Sequence, residues 1–299
     1  MNSADVLEYG QSAHDVLSHQ HGDIYAVFNE SIYLRGGDSL CCLGIASLVN
    51  GPINIRTSLK NLSALGVGDQ WGFQNNSLTL GQFCLCDTGN ATLWRPPPKP
   101  ALFNSGGYHR CIRELEAALL ADHRNDKGHT GATHTLTQQR LDHYQLLLAR
   151  SLLSSVNVDY YAIPADLIGL LGCGDGLTPA GDDILLGALI TAIHFEQPRL
   201  YKPLTKWLMR HATERTNQIS SAHLMNATQG QAIETVHTLL NALTHHINNP
   251  DSATKRPSTE SLQKAIRDLL HHGQSSGYYT IAGVLQVLKY IWCSVTEQG

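Results

Sequence analysis

The sequence predicts an α+β protein in which a small antiparallel β-rich domain is followed by a mostly α-helical bundle. Two patterns carry that expectation. From Asp23 to Arg95, short apolar runs alternate with clusters of Gly, Asn, Asp and Pro, the mark of brief strands joined by turns. Beyond that stretch, apolar residues recur at helical spacing almost to the C-terminal end.

The strand signals are Ile24 to Phe28, Ile32 to Leu34, Leu40 to Leu48, Ile53 to Ile55, Leu78 to Leu80, Phe83 to Cys86 and Leu93 to Trp94. Turn residues such as Arg35-Gly36-Gly37-Asp38 and Asn50-Gly51-Pro52 separate them, as in a small antiparallel sheet or barrel. Trp71, Phe83 and Trp94 are expected in its core. Arg95-Pro96-Pro97-Pro98-Lys99-Pro100 reads as a polyproline-type connector, which places the domain boundary between residues 98 and 99. Helices are expected near Cys111 to His123, Gln138 to Leu153, Pro203 to Glu214, Ile219 to Thr228, Gln231 to Ile247, Thr259 to His272 and Ile281 to Val295. The polar segments Asp122 to Thr137 and Asn248 to Pro257 read as loops.

At 299 residues the chain exceeds the usual size of one compact core, so two domains (1–98 and 99–299) are the expectation. A hydrophobic content of 42% with 15% charged residues fits a globular protein with a substantial core. The net charge of -4 leaves no polybasic footprint, so nucleic acid is not an expected partner. The start MNSADVLEYGQ has neither a basic region nor an apolar one, and the seven cysteines are an odd number. Both point to reduced thiols in the cytoplasm. The sixteen histidines fall mostly in polar or helix-end contexts, with no HExxH, and no His-bound metal is expected.

The chain is organised around residues 170 to 195, LLGCGDGLTPAGDDILLGALITAIHF. Gly172, Gly174, Gly176 and Gly181 surround Thr178-Pro179, where the Thr hydroxyl is expected to cap a helix and the Pro to occupy its first position. That helix carries Asp182 and Asp183 in its opening turns and then runs apolar on every face, as a helix buried all round does. The run is too short for a bilayer, which takes about 20 apolar residues, so no membrane partner is expected. Two carboxylates thus sit at the end of a core helix. Unpaired, each would cost several kcal/mol, against about 0.3–1 kcal/mol returned by the helix end.

Something must therefore meet them: a cation, donors from the glycine loop, or a ligand. The plainer alternative is that they only complement the helix N-terminus above a tight turn. The density of glycine favours a loop whose N–H groups converge on an anion, although the pattern is neither GxGxxG nor GxxxxGK[ST]. Two other polar helix starts stand in the same domain, Thr216-Asn217-Gln218-Ile219-Ser220-Ser221 and Gly273-Gln274-Ser275-Ser276-Gly277. Convergence of all three on one pocket is the economical expectation.

The ten residues Gly174-Asp175-Gly176-Leu177-Thr178-Pro179-Ala180-Gly181-Asp182-Asp183 resemble the signature of a bacterial family, the AllH-type subunit of oxamate carbamoyltransferase. The likeness takes in Thr216 to Ser221, Gly273 to Gly277 and the strand-rich first domain. It implies carbamoyl transfer between carbamoyl phosphate and oxamate, giving oxalurate and phosphate, in anaerobic allantoin (purine) breakdown. It also implies companion subunits of the FdrA-like and AllG-like types. The chain departs from the pattern at Tyr278-Tyr279, where an aromatic followed by an acidic residue is expected.

On this reading Asp182, Asp183 and Thr178 are the catalytic candidates, the two carboxylates orienting the carbamoyl amide or holding Mg2+. Gly174, Asp175, Gly176 and Gly181 shape an anion cradle, with Thr216, Ser220, Ser221, Ser275, Ser276 and Gly277 around it. Cys173, inside the loop, reads as a packing residue. Two alternatives remain open: Mg-dependent phosphoryl transfer, and a non-catalytic subunit that binds a small anion.

Overall fold

The computed structural model describes residues 2–81, 84–103, 106–125, 132–156, 162–249 and 256–296. The chain divides into two compact units, one of Met1–Pro97 with Gln231–Glu234, the other of Pro98–Gly230 with Thr235–Gly299.

The first unit is a sheet curled into a ring. Its strands are β1 (Asn2–Tyr9), β2 (His21–Val27), β3 (Ser31–Gly36), β4 (Ser39–Gly44), β5 (Asn54–Thr57), β6 (Gln70–Gln74), β7 (Ser77–Leu80), β8 (Cys84–Asp87) and the two-residue β9 (Thr92–Leu93). The order β5-β4-β3-β2-β6-β7-β8-β1-β9 closes on itself through a further β1–β5 pairing, which leaves β9 as an appendage of β1. Most pairs are antiparallel, as expected, but β1 runs parallel to β8 and β9, and β4 parallel to β5. Closure removes the open edges that a small sheet would otherwise expose. One short helix, α1 (Gln11–Leu17), adds Ala13, Val16 and Leu17 to a core that includes Ile24, Ile32, Leu34, Leu43, Ile55, Leu78 and Leu80. Trp71 and Trp94 are buried, as expected, and the Trp71 indole N–H donates to the Arg35 carbonyl at 3.0 Å. Phe83 lies outside the described residues.

The second unit is helical. Its helices, among the described residues, are α2 (Tyr108–Asn125), α3 (Ala132–Ser154), α4 (Ala180–His194), α5 (Pro198–Arg215), α6 (Gln218–Thr228), α7 (Glu234–Asn248), α8 (Arg256–Leu270) and α9 (Ser276–Thr296). A 3-10 turn, Ala165–Leu170, precedes the glycine loop. Much of the expected loop from Asp122 to Thr137 is helical at both ends: α2 reaches Asn125 and α3 begins at Ala132. The threonines that lower propensity there are overruled by the buried stripe Leu141, Leu148 and Leu152 further along α3. Pro257 likewise stands in the first turn of α8, where a missing N–H costs nothing. None of the described helices is long and apolar enough to cross a membrane.

The interior of this unit is α4 against α9. Every residue of α4 from Ala180 to Leu185 and from Gly187 to Ala192 is buried, and so is most of α9. Two glycines bring the backbones together. A Cβ on Gly187 would lie 2.1 Å from the Thr280 carbonyl oxygen, and one on Gly283 would lie 2.1 Å from that of Ile184. Gly187→Ala is therefore expected to destabilise by about 1–3 kcal/mol, because overpacking outweighs the roughly 1 kcal/mol of added helix propensity. Urea denaturation checks it; a midpoint at or above wild type would contradict the close approach.

Candidate functional site

The glycine loop, residues 171–179, is wound tightly enough to need its glycines. Gly172, Gly174 and Gly176 all have positive φ (69°, 120° and 95°). A Cβ on Gly172 would meet the Arg215 carbonyl oxygen at 2.4 Å, and one on Gly174 the Ala180 nitrogen at 2.6 Å. Around Gly176 there is open space, and Asp175, Gly176 and Leu177 are exposed. The loop is thus pinned at its root and free at its tip. Gly181 serves packing as well, since a Cβ there would lie 1.9 Å from the Leu170 carbonyl oxygen.

The expected start of α4 needs correction. Pro179, in extended conformation (φ −52°, ψ 140°), is the N-cap and not the first helical residue, and no side chain caps the helix. The Pro179 carbonyl takes the N–H groups of Asp182 and Asp183 at 2.9 and 3.2 Å. Thr178, one residue too early to cap, turns its hydroxyl to the Asp183 carboxylate instead.

The two adjacent aspartates have different surroundings. Asp182 is 1% exposed and fully engaged. Its Oδ1 accepts the Gly172 N–H at 2.8 Å, and its Oδ2 accepts the hydroxyls of Thr216 and of Ser220, the latter at 2.7 Å. Burial raises its pKa, and the three donors pull it back down. Asn217 caps α6 by accepting the Ser220 N–H at 3.0 Å, which leaves the Thr216 and Ser220 hydroxyls for Asp182. Asp182 therefore ties the loop to the start of α6.

Asp183 is 4% exposed, and its Oδ2 has no hydrogen-bond partner. Burial pushes its carboxyl well above the usual carboxylate range; the hydroxyls of Ser276, at the start of α9, and of Thr178 oppose that rise, while the neighbouring Asp182 adds to it. An acceptor so placed, bare and out of water, is costly unless a ligand meets it.

Of the expected cradle, the structure brings together the loop, the start of α6 through Thr216 and Ser220, and the start of α9 through Ser276. Ser221 is buried in α6, with its N–H on the Asn217 carbonyl, and among the described residues its hydroxyl bonds to neither aspartate. Ser275 is exposed, and Gly277 is pressed on α8, where a Cβ would lie 1.8 Å from the Leu269 carbonyl oxygen. Tyr279 donates its hydroxyl to Gln138 of α3 at 3.2 Å. Cys173 is a buried free thiol whose pKa burial raises, in keeping with a packing role.

The stretch that builds this site has a known counterpart. Residues 170–288 match the family model of oxamate carbamoyltransferase subunit AllH. The likeness read from the ten-residue signature is thus borne out over the AllH-type segment, which holds the glycine loop, both aspartates and the starts of α6 and α9. No solved structure matches the chain.

As a metal site the AllH-type segment offers little. No group of three or more His, Cys, Asp or Glu stands together among the described residues. With both Asp182 oxygens taken up by internal donors, the pair presents a single free oxygen, that of Asp183. That does not fit a Mg2+ cage built by the protein.

One contributor had a weak signal in the sequence. Gly172 supplies an N–H to Asp182, which only the fold of the loop decides.

Proposed function

We propose that the chain is a subunit of a carbamoyltransferase acting on carbamoyl phosphate and oxamate, or in reverse on oxalurate and phosphate, within anaerobic allantoin breakdown. Its companions in a hetero-complex are subunits of the FdrA-like and AllG-like types. One observation carries the reading: the unpartnered Asp183 oxygen, buried at the start of α4 between the hydroxyls of Thr178 and Ser276.

In the forward direction the amide nitrogen of oxamate attacks the carbamoyl carbon. A C–N bond forms, the C–O bond to phosphate breaks, and the proton lost by nitrogen ends on the departing phosphate. A desolvated carboxylate of raised pKa is suited both to accept an amide N–H and to take its proton as the bond forms. Asp183 has that role. The Thr178 and Ser276 hydroxyls act on its carboxylate, and Asp182 is a positioning residue that holds the loop. Exposed loop N–H groups near Asp175 and Gly176 face the phosphate.

The test uses the chain together with its companion subunits, supplied with oxalurate and phosphate and assayed for carbamoyl phosphate. Product that depends on this chain is the expected result; none with the full set of subunits would end the reading. Full activity with Asp183→Asn would instead assign the chain a non-catalytic, anion-binding part.

A further inference from the structure

Helix α3 packs on the 3-10 turn that leads into the glycine loop, and its exposed residues include a cation that makes no ion pair among the described residues. Its buried stripe of Leu141, Leu148 and Leu152 is flanked by two sets of side chains at helical spacing. On one side Gln138 receives the Tyr279 hydroxyl from the first turn of α9. On the other, Tyr144 is pressed on the turn that leads into the loop, its hydroxyl 1.9 Å from where a Cβ on Gly169 would stand. Arg140 is one helical turn from Tyr144 on that same side.

Arg140 is exposed and makes no ion pair among the described residues. Its charge nonetheless reaches the loop. Burial raises the Cys173 thiol, and of the charged groups acting there Arg140 alone lowers it, against Asp182 and Asp175. Tyr144 thus sets the side of α3 that carries Arg140 against the turn feeding the loop, whose tip at Asp175 and Gly176 is exposed.

We propose that Arg140 binds an oxyanion of the substrate at the glycine loop, as the charged partner that the loop itself lacks. Guanidinium groups suit this because two parallel N–H donors match the paired oxygens of a carboxylate or phosphate. The oxyanion is either the phosphate of the carbamoyl donor or the carboxylate of the acceptor. Naming those two molecules rests on the carbamoyl-transfer reading; the anion contact does not.

The test has two arms. In the assembled complex, Arg140→Gln is expected to raise KM about ten- to a hundredfold for one substrate, with kcat changed far less, and Arg140→Lys to recover part of the loss. A rise confined to carbamoyl phosphate assigns the contact to phosphate; one confined to oxamate assigns it to the carboxylate. In the second arm, the Tm of the chain is followed with inorganic phosphate and with oxamate. Wild type is expected to be stabilised by one of them and the Gln variant not. If wild type makes no carbamoyl phosphate but loses its anion-induced Tm shift on substitution, the carbamoyl reading fails and the anion contact stands. Unchanged KM for both substrates together with an unchanged Tm response would overturn the assignment of Arg140.

Discussion

Asp183→Asn is expected to abolish turnover and yet make the protein more stable. Asn keeps the shape and one acceptor oxygen, but it removes a carboxylate held out of water with one oxygen bare. Relief of that desolvation is worth about 1–3 kcal/mol. Turnover in the complex should fall at least about a hundredfold, because an amide cannot take up a proton. The pH dependence has a definite sign. A carboxyl whose pKa is raised above 3.8 on folding binds its proton more tightly in the folded state. Its contribution is therefore most favourable in acid and is lost as pH rises from the ordinary carboxylate range through the raised value. The stability advantage of the Asn variant should accordingly be small near pH 4 and widen toward neutrality, as followed by Tm across pH. A variant less stable than wild type at pH 7 would contradict the bare-oxygen geometry.

The same substitution one residue earlier should have the opposite sign. Asp182 accepts three internal hydrogen bonds, and Asn in its place offers one acceptor oxygen and turns an NH2 group toward at least one donor. Each buried donor left unpaired costs about 1–3 kcal/mol, more than the desolvation regained. Asp182→Asn is thus expected to lower Tm, to free the loop from the start of α6 and to suppress turnover while the helical signal in far-UV circular dichroism stays near native. Equal stability effects at 182 and 183 would show that the two carboxylates share one environment.

How much of this was legible beforehand depends on the range of the interactions involved. The α4 core helix and its acidic pair stood out because local composition alone marks a helix buried on all faces. Adjacent residues on a helix point about 100° apart, so one sees α6 and the other α9. Which is which rests on Thr216, Ser220 and Ser276, tens of residues away, and no spacing rule reaches that far. In the first unit, β1 shows the alternation of buried Ala4 and Val6 with Asp5 and Leu7, but its acidic residues mask a strand. Helix α1 has Ala13, Val16 and Leu17 at helical spacing within only seven residues, below the length at which such a pattern is persuasive. The parallel partners of β1 lie more than 80 residues along the chain, which turn signals between neighbours cannot reveal.

Gly187 and Gly283 set where adaptation can occur. At these two glycines main chain rests on main chain, so no side chain there could change rotamer and let α4 slide past α9. The spacing between the Asp183 carboxylate and the Ser276 hydroxyl is therefore dictated by the scaffold, whatever molecule arrives. Divergent relatives that handle a larger acceptor would have to find the extra room at the loop tip around Gly176, where nothing lies within 4 Å of an added Cβ. Insertions and altered specificity should collect there, while the helical floor stays nearly invariant in length.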